Sequence, residues 1–127
     1  MTRSDCAICS IDPPEIVLEK RFAAAAEATE KVTPGHMIVF PWRHVASWFD
    51  LTTEEIVEIN MILRELKDIC DGSHQPDGYN IGIDCGLAAG QRGRHAVVDL
   101  IPRYSQTGRQ EAGGIREILK PGDDTLC

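Results

Sequence analysis

The sequence has no long apolar run and fewer basic than acidic residues. No stretch approaches the roughly 18–20 apolar residues that a membrane-spanning helix requires, and residues 1–6 lack the apolar core of a secretion signal. Lys and Arg number 13 against 20 Asp and Glu, and the resulting net charge of -7 repels a phosphate backbone. We therefore expect a cytoplasmic protein whose partners are neither nucleic acid nor membrane.

Repeats and low-complexity tracts are also absent. With 127 residues, 43% of them hydrophobic, the chain has the size and composition of one globular domain. A domain of this size buries enough surface to fold without disulfides. The prediction is a single domain over residues 1–127.

The five cysteines do not indicate a disulfide framework, because their number is odd and a reducing compartment is expected. Cys70 and Cys85 have the surroundings of buried small hydrophobic residues, and only Cys6 and Cys9 form a spaced pair. Their spacing lets two thiolates bind one tetrahedral Zn²⁺, although a redox pair and chance spacing are alternatives. Two histidines would complete a zinc site, and spacing alone does not choose among the four candidates, His36, His44, His74 and His95.

Local patterns predict a domain that mixes strands with one long helix. Short apolar segments bounded by turn residues predict strands at 16–18, 22–26, 36–40, 79–83 and 95–101, the last stopped by Pro102. The alanines of the second segment weaken that prediction, because alanine favours helix. A capping box of Thr52 with Glu55 predicts the helix start, and Asp71-Gly72 its end. The apolar stripe of this helix is Ile56, Ile59, Leu63, Leu66 and Cys70.

Alternation along the last predicted strand isolates one unusual residue. A period of two places His95, Val97, Asp99 and Ile101 on one face, with Ala96, Val98 and Leu100 on the other. An aspartate among valines on a strand face needs a reason, so Asp99 is a candidate site residue. A glycine-rich loop, residues 86–93, precedes this strand.

Several motifs, taken together and in order, resemble the histidine triad (HIT) superfamily. They are residues 33–41, 43–45, 49–52, 77–82, 90–91 and 100–104. The resemblance extends from Cys6 to about residue 118. It implies an α+β fold with an antiparallel sheet, one long helix and short helices, assembled as a homodimer. Many members bind a purine nucleotide, and a histidine nucleophile attacks its α-phosphorus to hydrolyse or transfer the nucleotidyl group.

The resemblance also implies a metal site. Zinc-bearing members hold one structural Zn²⁺ at positions that here are Cys6, Cys9, His44 and His95. All four are present, and a closed Cys₂His₂ set makes the zinc structural. His36 is then expected to be a packed residue near a strand start, and His74 a solvated loop residue.

The sequence departs from the family signature at the reactive positions. Where the family has His-x-His-x-His, this chain has His95, Val97 and Asp99. Val97 replaces the nucleophile and has no lone pair with which to attack phosphorus. Asp99 replaces a phosphate-contacting histidine, and its carboxylate opposes phosphate binding. The family reaction is therefore expected to be absent.

Other ligand-binding positions are kept in part. Gln91 matches a phosphate-contacting glutamine, and Glu27 stands where relatives carry an aspartate that holds the ribose hydroxyls. Phe22 and Ile38 resemble the apolar walls around the base, although burial in the core is an alternative. Residues 113–116 resemble a tail that lies near the partner subunit.

Two arginines flank the glycine-rich loop. Arg92 and Arg94 could pair with Asp99 or contact an anionic ligand, with exposure to solvent as the alternative.

The leading hypothesis is a HIT-like binding protein for a nucleotide or another small molecule, without the nucleotidyl chemistry. In an alternative, Asp99 acts as general acid or base in a different reaction while Arg92 or Arg94 steadies an anionic substrate. A third hypothesis is residual phosphohydrolase activity through water activated by Asp99.

Overall fold

In the described part of the chain, a five-stranded antiparallel sheet, one long helix and three short 3-10 helices make up the fold. The computed structural model describes residues 5–105 and residue 115. Its strands are β1 (Ile16–Glu19), β2 (Ala23–Glu27), β3 (Met37–Pro41), β4 (Gly78–Ile83) and β5 (Val98–Arg103), and its helix is α1 (Thr53–Ser73). The strand order is β1-β2-β3-β5-β4, and every neighbouring pair is antiparallel. This confirms the predicted α+β class.

The alanines of β2 form a strand because the sheet packs closely on both of their faces. Ala23 and Ala25 belong to a core cluster shared with α1, whereas Ala24 and Ala26 belong to a cluster around Phe40 on the opposite face. All four are 2% exposed or less. Tertiary packing overrides the helical preference of alanine here.

Helix α1 begins at the predicted capping box. The Thr52 hydroxyl accepts from the Glu55 N–H at 3.1 Å, and the Glu55 carboxylate accepts from the Thr52 N–H at 2.8 Å. The buried residues of the helix are Glu55, Ile59, Ile62, Leu66 and Cys70. The stripe is therefore rotated slightly from the prediction, with Ile62 buried instead of Leu63, because α1 lies over the sheet centre. No helix in the described part of the chain is both long and apolar enough to cross a bilayer.

The opposite face of the sheet is covered by the segment that precedes β1. Ile8 and Ile11 pack with Phe40 and Val97 in the second core cluster. This segment therefore lies against the same face that carries Val97, and it brings Cys6 and Cys9 close to the start of β5.

Strand β5 starts and ends later than predicted. The structure places residues 95–97 before the strand, since the Ala96 N–H donates to the Val45 carbonyl at 2.7 Å. Pro102 does not stop the strand, because it lies beyond the last pair with β3, Met37 with Leu100. Its missing N–H therefore costs no hydrogen bond to β3, and its carbonyl accepts from the Thr33 hydroxyl at 2.6 Å. The predicted alternation is confirmed from Val98 onward, with Val98 and Leu100 buried and Asp99 half-buried, whereas His95 and Ala96 lie before the strand and are both buried.

The tail expected near a partner subunit lies mostly outside the described residues. Of residues 113–116 only Ile115 is described, and it is 71% exposed. The homodimer stays a prediction.

Candidate functional site

Four predicted ligand residues, Cys6, Cys9, His44 and His95, converge at one end of the sheet. Their ligand atoms all lie within 4.8 Å of one another. Cys9 Sγ is 3.2 Å from His44 Nδ1 and 3.7 Å from His95 Nδ1, and Cys6 Sγ is 3.5 Å from His95 Nδ1. A tetrahedral zinc ion with ordinary bond lengths separates sulfur and nitrogen ligands by about 3.5 Å. The residues present therefore fit a single tetrahedral metal ion.

The surroundings of the cluster fix the ligand atoms. The Cys9 N–H points at Cys6 Sγ at 3.4 Å, as in a tight turn that holds two thiolates together. His95 Nε2 is 2.7 Å from the Pro41 carbonyl, which places the ring hydrogen on Nε2 and leaves the lone pair of Nδ1 for a metal. Cys6 and His95 are 4% and 5% exposed. The donor set is thus preformed and largely shielded from solvent.

A pocket of about 370 Å³ adjoins this cluster. The candidate metal ligands Cys6 and His95 form part of its wall, so the cluster and the pocket share a boundary. Other described lining residues come from β3 and β5, from the residues just before each of these strands, from the segments after β2 and β4, and from the glycine-rich loop. They include Glu30, His36, Ile38, Asp84, Gln91, Arg92, Arg94, Val97 and Asp99.

A histidine and an aspartate form a hydrogen-bonded pair in the pocket wall. His36 Nε2 is 2.8 Å from Asp99 Oδ1, and His36 Nδ1 accepts from the Val32 N–H at 3.0 Å. The side chain of His36 is 5% exposed and that of Asp99 34%. The expectation that His36 packs near a strand start is confirmed, but its contact with Asp99 was not predicted. Asp99 pairs with Ile38, two residues after His36, and this register brings the two side chains together.

The glycine-rich loop places its polar residues by hydrogen bonds. The side-chain amide of Gln91 donates to the Ala46 carbonyl at 2.7 Å, and its carbonyl accepts from the Gly86 N–H at 2.8 Å. Gly90 has a φ of 99°, in the left-handed region that glycine adopts without strain. Gln91 is thus held at the pocket wall by backbone groups of the loop and of Ala46.

Arg92 pairs with Glu30 and not with Asp99. The two side chains are 2.6 Å apart, and both are exposed. The hydrogen bond to Glu30 is the main reason that the pKa of Arg92 is raised above its ordinary value, and the charges of Asp99 and Asp84 add to it. Arg94 is exposed at the pocket lining and has no ion-pair partner among the residues that the structure describes.

Two predicted ligand residues lie elsewhere. Phe22 is half-buried before β2, with Arg21 over its ring, and Glu27 forms an ion pair with Lys31 at 3.1 Å. Neither is among the residues that line the pocket. Ile38, Gln91, Arg92, Arg94 and Asp99 do line it.

Comparison with known proteins identifies the family. Residues 12–106 match the HIT domain, and the chain belongs to the HIT family. It is similar to a bis(5'-nucleosyl)-tetraphosphatase [asymmetrical] of Schizosaccharomyces pombe, with 30% identity over 89 residues that make up 70% of this chain and 49% of the relative. A bis(5'-adenosyl)-triphosphatase of Dictyostelium discoideum is also 30% identical over 89 residues, 70% of this chain and 60% of that protein.

A solved structure shows the same fold. The crystal structure of a HIT family protein from Bacillus anthracis str. 'Ames Ancestor' has a TM-score of 0.76 and 29% identity, over 83% of this chain and 77% of that one. The chain spans only about half of the length of the curated relatives named above.

Proposed function

We propose that this protein is a HIT-family protein that binds a purine nucleotide or a related small molecule and lacks the family's histidine-dependent nucleotidyl chemistry. One observation carries the proposal: both histidines that line the pocket have both ring nitrogens engaged. His36 contacts Asp99 and the Val32 N–H, while His95 contacts the cysteine sulfurs and the Pro41 carbonyl. Neither imidazole keeps a free lone pair with which to attack phosphorus.

The residues at the reactive positions support the same proposal. Val97, which takes the place of the nucleophile, packs against the apolar cluster around Phe40 and offers only carbon atoms to the pocket. Asp99 adds a negative charge to the wall. At an effective dielectric of about 20, two like charges 4 Å apart repel by about 4 kcal/mol before screening.

We propose further that the metal is zinc with a structural role. Two thiolates and two imidazoles suit zinc, and four protein ligands leave no open position for a substrate. Bound there, zinc would tie the segment before β1 to the entrance of β5 and so fix the wall that the cluster shares with the pocket.

The dimensions of the pocket and the identity of relatives support a small-molecule ligand. A volume of about 370 Å³ lies within the usual range of ligand pockets. The relatives named above are called nucleoside polyphosphate hydrolases, so a nucleoside-containing ligand is the natural candidate.

Turnover and binding assays with the full chain test this function together. We expect calorimetry to detect binding of adenosine. We also expect no release of AMP from adenosine phosphoramidate or diadenosine tetraphosphate. Release of AMP by a route that leaves a nucleotide on a histidine would contradict the proposal.

A second candidate function is hydrolysis in which Asp99 acts as general base. The observation that favours it is the fixed Asp99 carboxylate in the pocket wall, held by His36 and near the charge of Arg92. Slow hydrolysis of the same substrates, without a covalent intermediate and abolished by Asp99→Asn, would establish this activity. Activity that is unchanged in Asp99→Asn would exclude it.

A further inference from the structure

We propose that the pocket selects a ligand that donates a hydrogen bond to Asp99, most strongly a protonated amine, and that it discriminates against phosphate at this position. The inference rests on the proposed function, because it names the chemistry of the ligand for the same pocket. The Asp99–His36 pair would accept a hydrogen bond from a donor on the ligand and would repel an anionic group.

The hydrogen-bond pattern of the pair fixes its character. The Val32 N–H donates to His36 Nδ1 at 3.0 Å, so the ring hydrogen is assigned to Nε2, which donates to Asp99 Oδ1 at 2.8 Å. The imidazole therefore has no second N–H with which to bind an anion. Of the described residues only His36 hydrogen-bonds the Asp99 carboxylate, and the second oxygen remains as an acceptor.

The exposure of the two side chains makes this acceptor reachable. His36 is 5% exposed and acts as a buried support, whereas Asp99 is 34% exposed and lines the pocket. A ligand in the pocket thus meets a carboxylate whose orientation is already fixed, so little conformational entropy is lost when a donor binds.

The arginines do not reverse this preference. Glu30 already pairs with Arg92 at 2.6 Å, and their side chains are 74% and 79% exposed. Arg94 is also exposed. Exposed charges are screened by salt more strongly than a half-buried carboxylate. Among the lining residues that the structure describes, three carboxylates, Glu30, Asp84 and Asp99, stand against the two guanidinium groups.

The test compares three nucleosides that differ at one group. The family resemblance puts a phosphate-contacting residue at position 99, so we expect the 5' group of a bound nucleoside to face Asp99. The probes are therefore 5'-amino-5'-deoxyadenosine, adenosine and AMP, titrated calorimetrically into the full zinc-loaded chain. We expect the amine to bind about tenfold tighter than adenosine, since a hydrogen bond to a charged group changes affinity by roughly that factor or more. We expect AMP to bind about tenfold weaker than adenosine, because its phosphate and the Asp99 carboxylate carry like charges and repel. AMP binding tighter than adenosine would overturn the inference.

Two variants that each remove one negative charge test whether the differences in affinity come from Asp99. Asp99→Asn should bring the three affinities within about threefold of one another, because the charge is lost and the shape is kept. Asp68→Asn makes the same charge change on an exposed residue of α1 outside the pocket lining, and it should keep the wild-type order. An order that persists in Asp99→Asn would also overturn the inference.

The outcomes separate this inference from the function on which it rests. Binding with AMP tightest refutes the selection by Asp99 and leaves nucleoside binding intact. No binding of any probe refutes nucleoside binding and the inference with it. If Asp99→Asn does not fold, the order of the three affinities measured with the wild-type chain still tests the inference.

Discussion

Asp99 lies on the same face as the apolar residues Val97 and Ile101. The fold accommodates its carboxylate because His36 contacts it at 2.8 Å. The imidazole accepts a backbone N–H with one nitrogen and contacts the carboxylate with the other. A buried donor or acceptor that loses its partner costs about 1–3 kcal/mol. The pair is therefore a structural element of the pocket wall as well as a candidate ligand contact.

Replacing His36 tests this structural role. We predict that His36→Ala lowers the free energy of unfolding by about 1–3 kcal/mol, because it leaves the Val32 N–H and the Asp99 carboxylate without their partner. Urea denaturation measures the change. The control is His74→Ala, at an exposed position, where a change within about 0.5 kcal/mol is expected. Equal effects at both positions would contradict the role assigned to His36.

The sequence predicted the four residues that cluster as a candidate metal site, but not the partner of Asp99. The spacing of Cys6 and Cys9 is a local pattern, and the family resemblance supplied His44 and His95. The partner of Asp99 lies 63 residues away, and only the β3–β5 register brings the two side chains together. An aspartate on an apolar strand face was the available signal, and it pointed to a partner without identifying it.

The start of helix α1 depends on a residue with two functions. Glu55 is the acidic member of the capping box, and its carboxylate also accepts from Arg43 through Nε at 3.0 Å and Nη2 at 2.9 Å. Its side chain is 3% exposed. The hydrogen bond from Arg43 is the main reason that the pKa of Glu55 is lowered from its ordinary value, and the backbone hydrogen bond at Thr52 adds to it.

The lowered pKa predicts how stability changes with pH. A carboxylate with a lowered pKa in the folded state stabilises the fold at pH values above the ordinary Glu pKa of about 4.3, and this contribution is lost as the pH falls through the folded-state pKa. We predict that Glu55→Gln destabilises the protein by about 1–2 kcal/mol at neutral pH, and that the difference from wild type shrinks below pH ~4.3. Urea denaturation across this range measures it.

The matched control for this prediction is Glu54→Gln, at the exposed neighbouring position in the first turn. This change should alter the free energy of unfolding by less than about 0.5 kcal/mol. A Glu55→Gln penalty that stays constant down to acidic pH would contradict the ionic contribution.

The helix and the strands that carry a signal in the local sequence were predicted well. The capping box fixed the start of α1, and β-branched residues marked β3 and β4. The predicted ends of β5 were wrong. The strand can include Pro102 only because its pairing with β3 ends before that residue, and this end point is not visible in the local sequence. The rotation of the α1 stripe toward Ile62 likewise depends on how the helix lies on the sheet, which no local pattern encodes.

The four residues of the candidate metal site connect the segment before β1 to the sheet. Cys6 and Cys9 come from that segment, whereas His44 follows β3 and His95 precedes β5. An ion bound by all four would link parts of the chain that are distant in sequence. Because such a site exists only in the folded state, binding free energy adds to folding free energy.

Metal analysis tests this link. We predict one zinc ion per chain by elemental analysis, and a lower melting temperature after chelation. Cys9→Ser should lose the zinc and should cost more than about 2 kcal/mol of stability at saturating metal. Cys85→Ser, at a half-buried cysteine outside the cluster, should keep the zinc. Full zinc occupancy in Cys9→Ser would contradict the assigned ligand set.

The proposed function requires that no histidine nitrogen in the pocket is free to accept a nucleotidyl group. Intact-protein mass spectrometry tests it most directly, with the full chain mixed with adenosine phosphoramidate and quenched in base, where a phosphorus–nitrogen bond survives. We expect the unmodified mass at every time point. A mass increase of one adenylyl group, mapped by peptide fragmentation to His36 or His95, would contradict it.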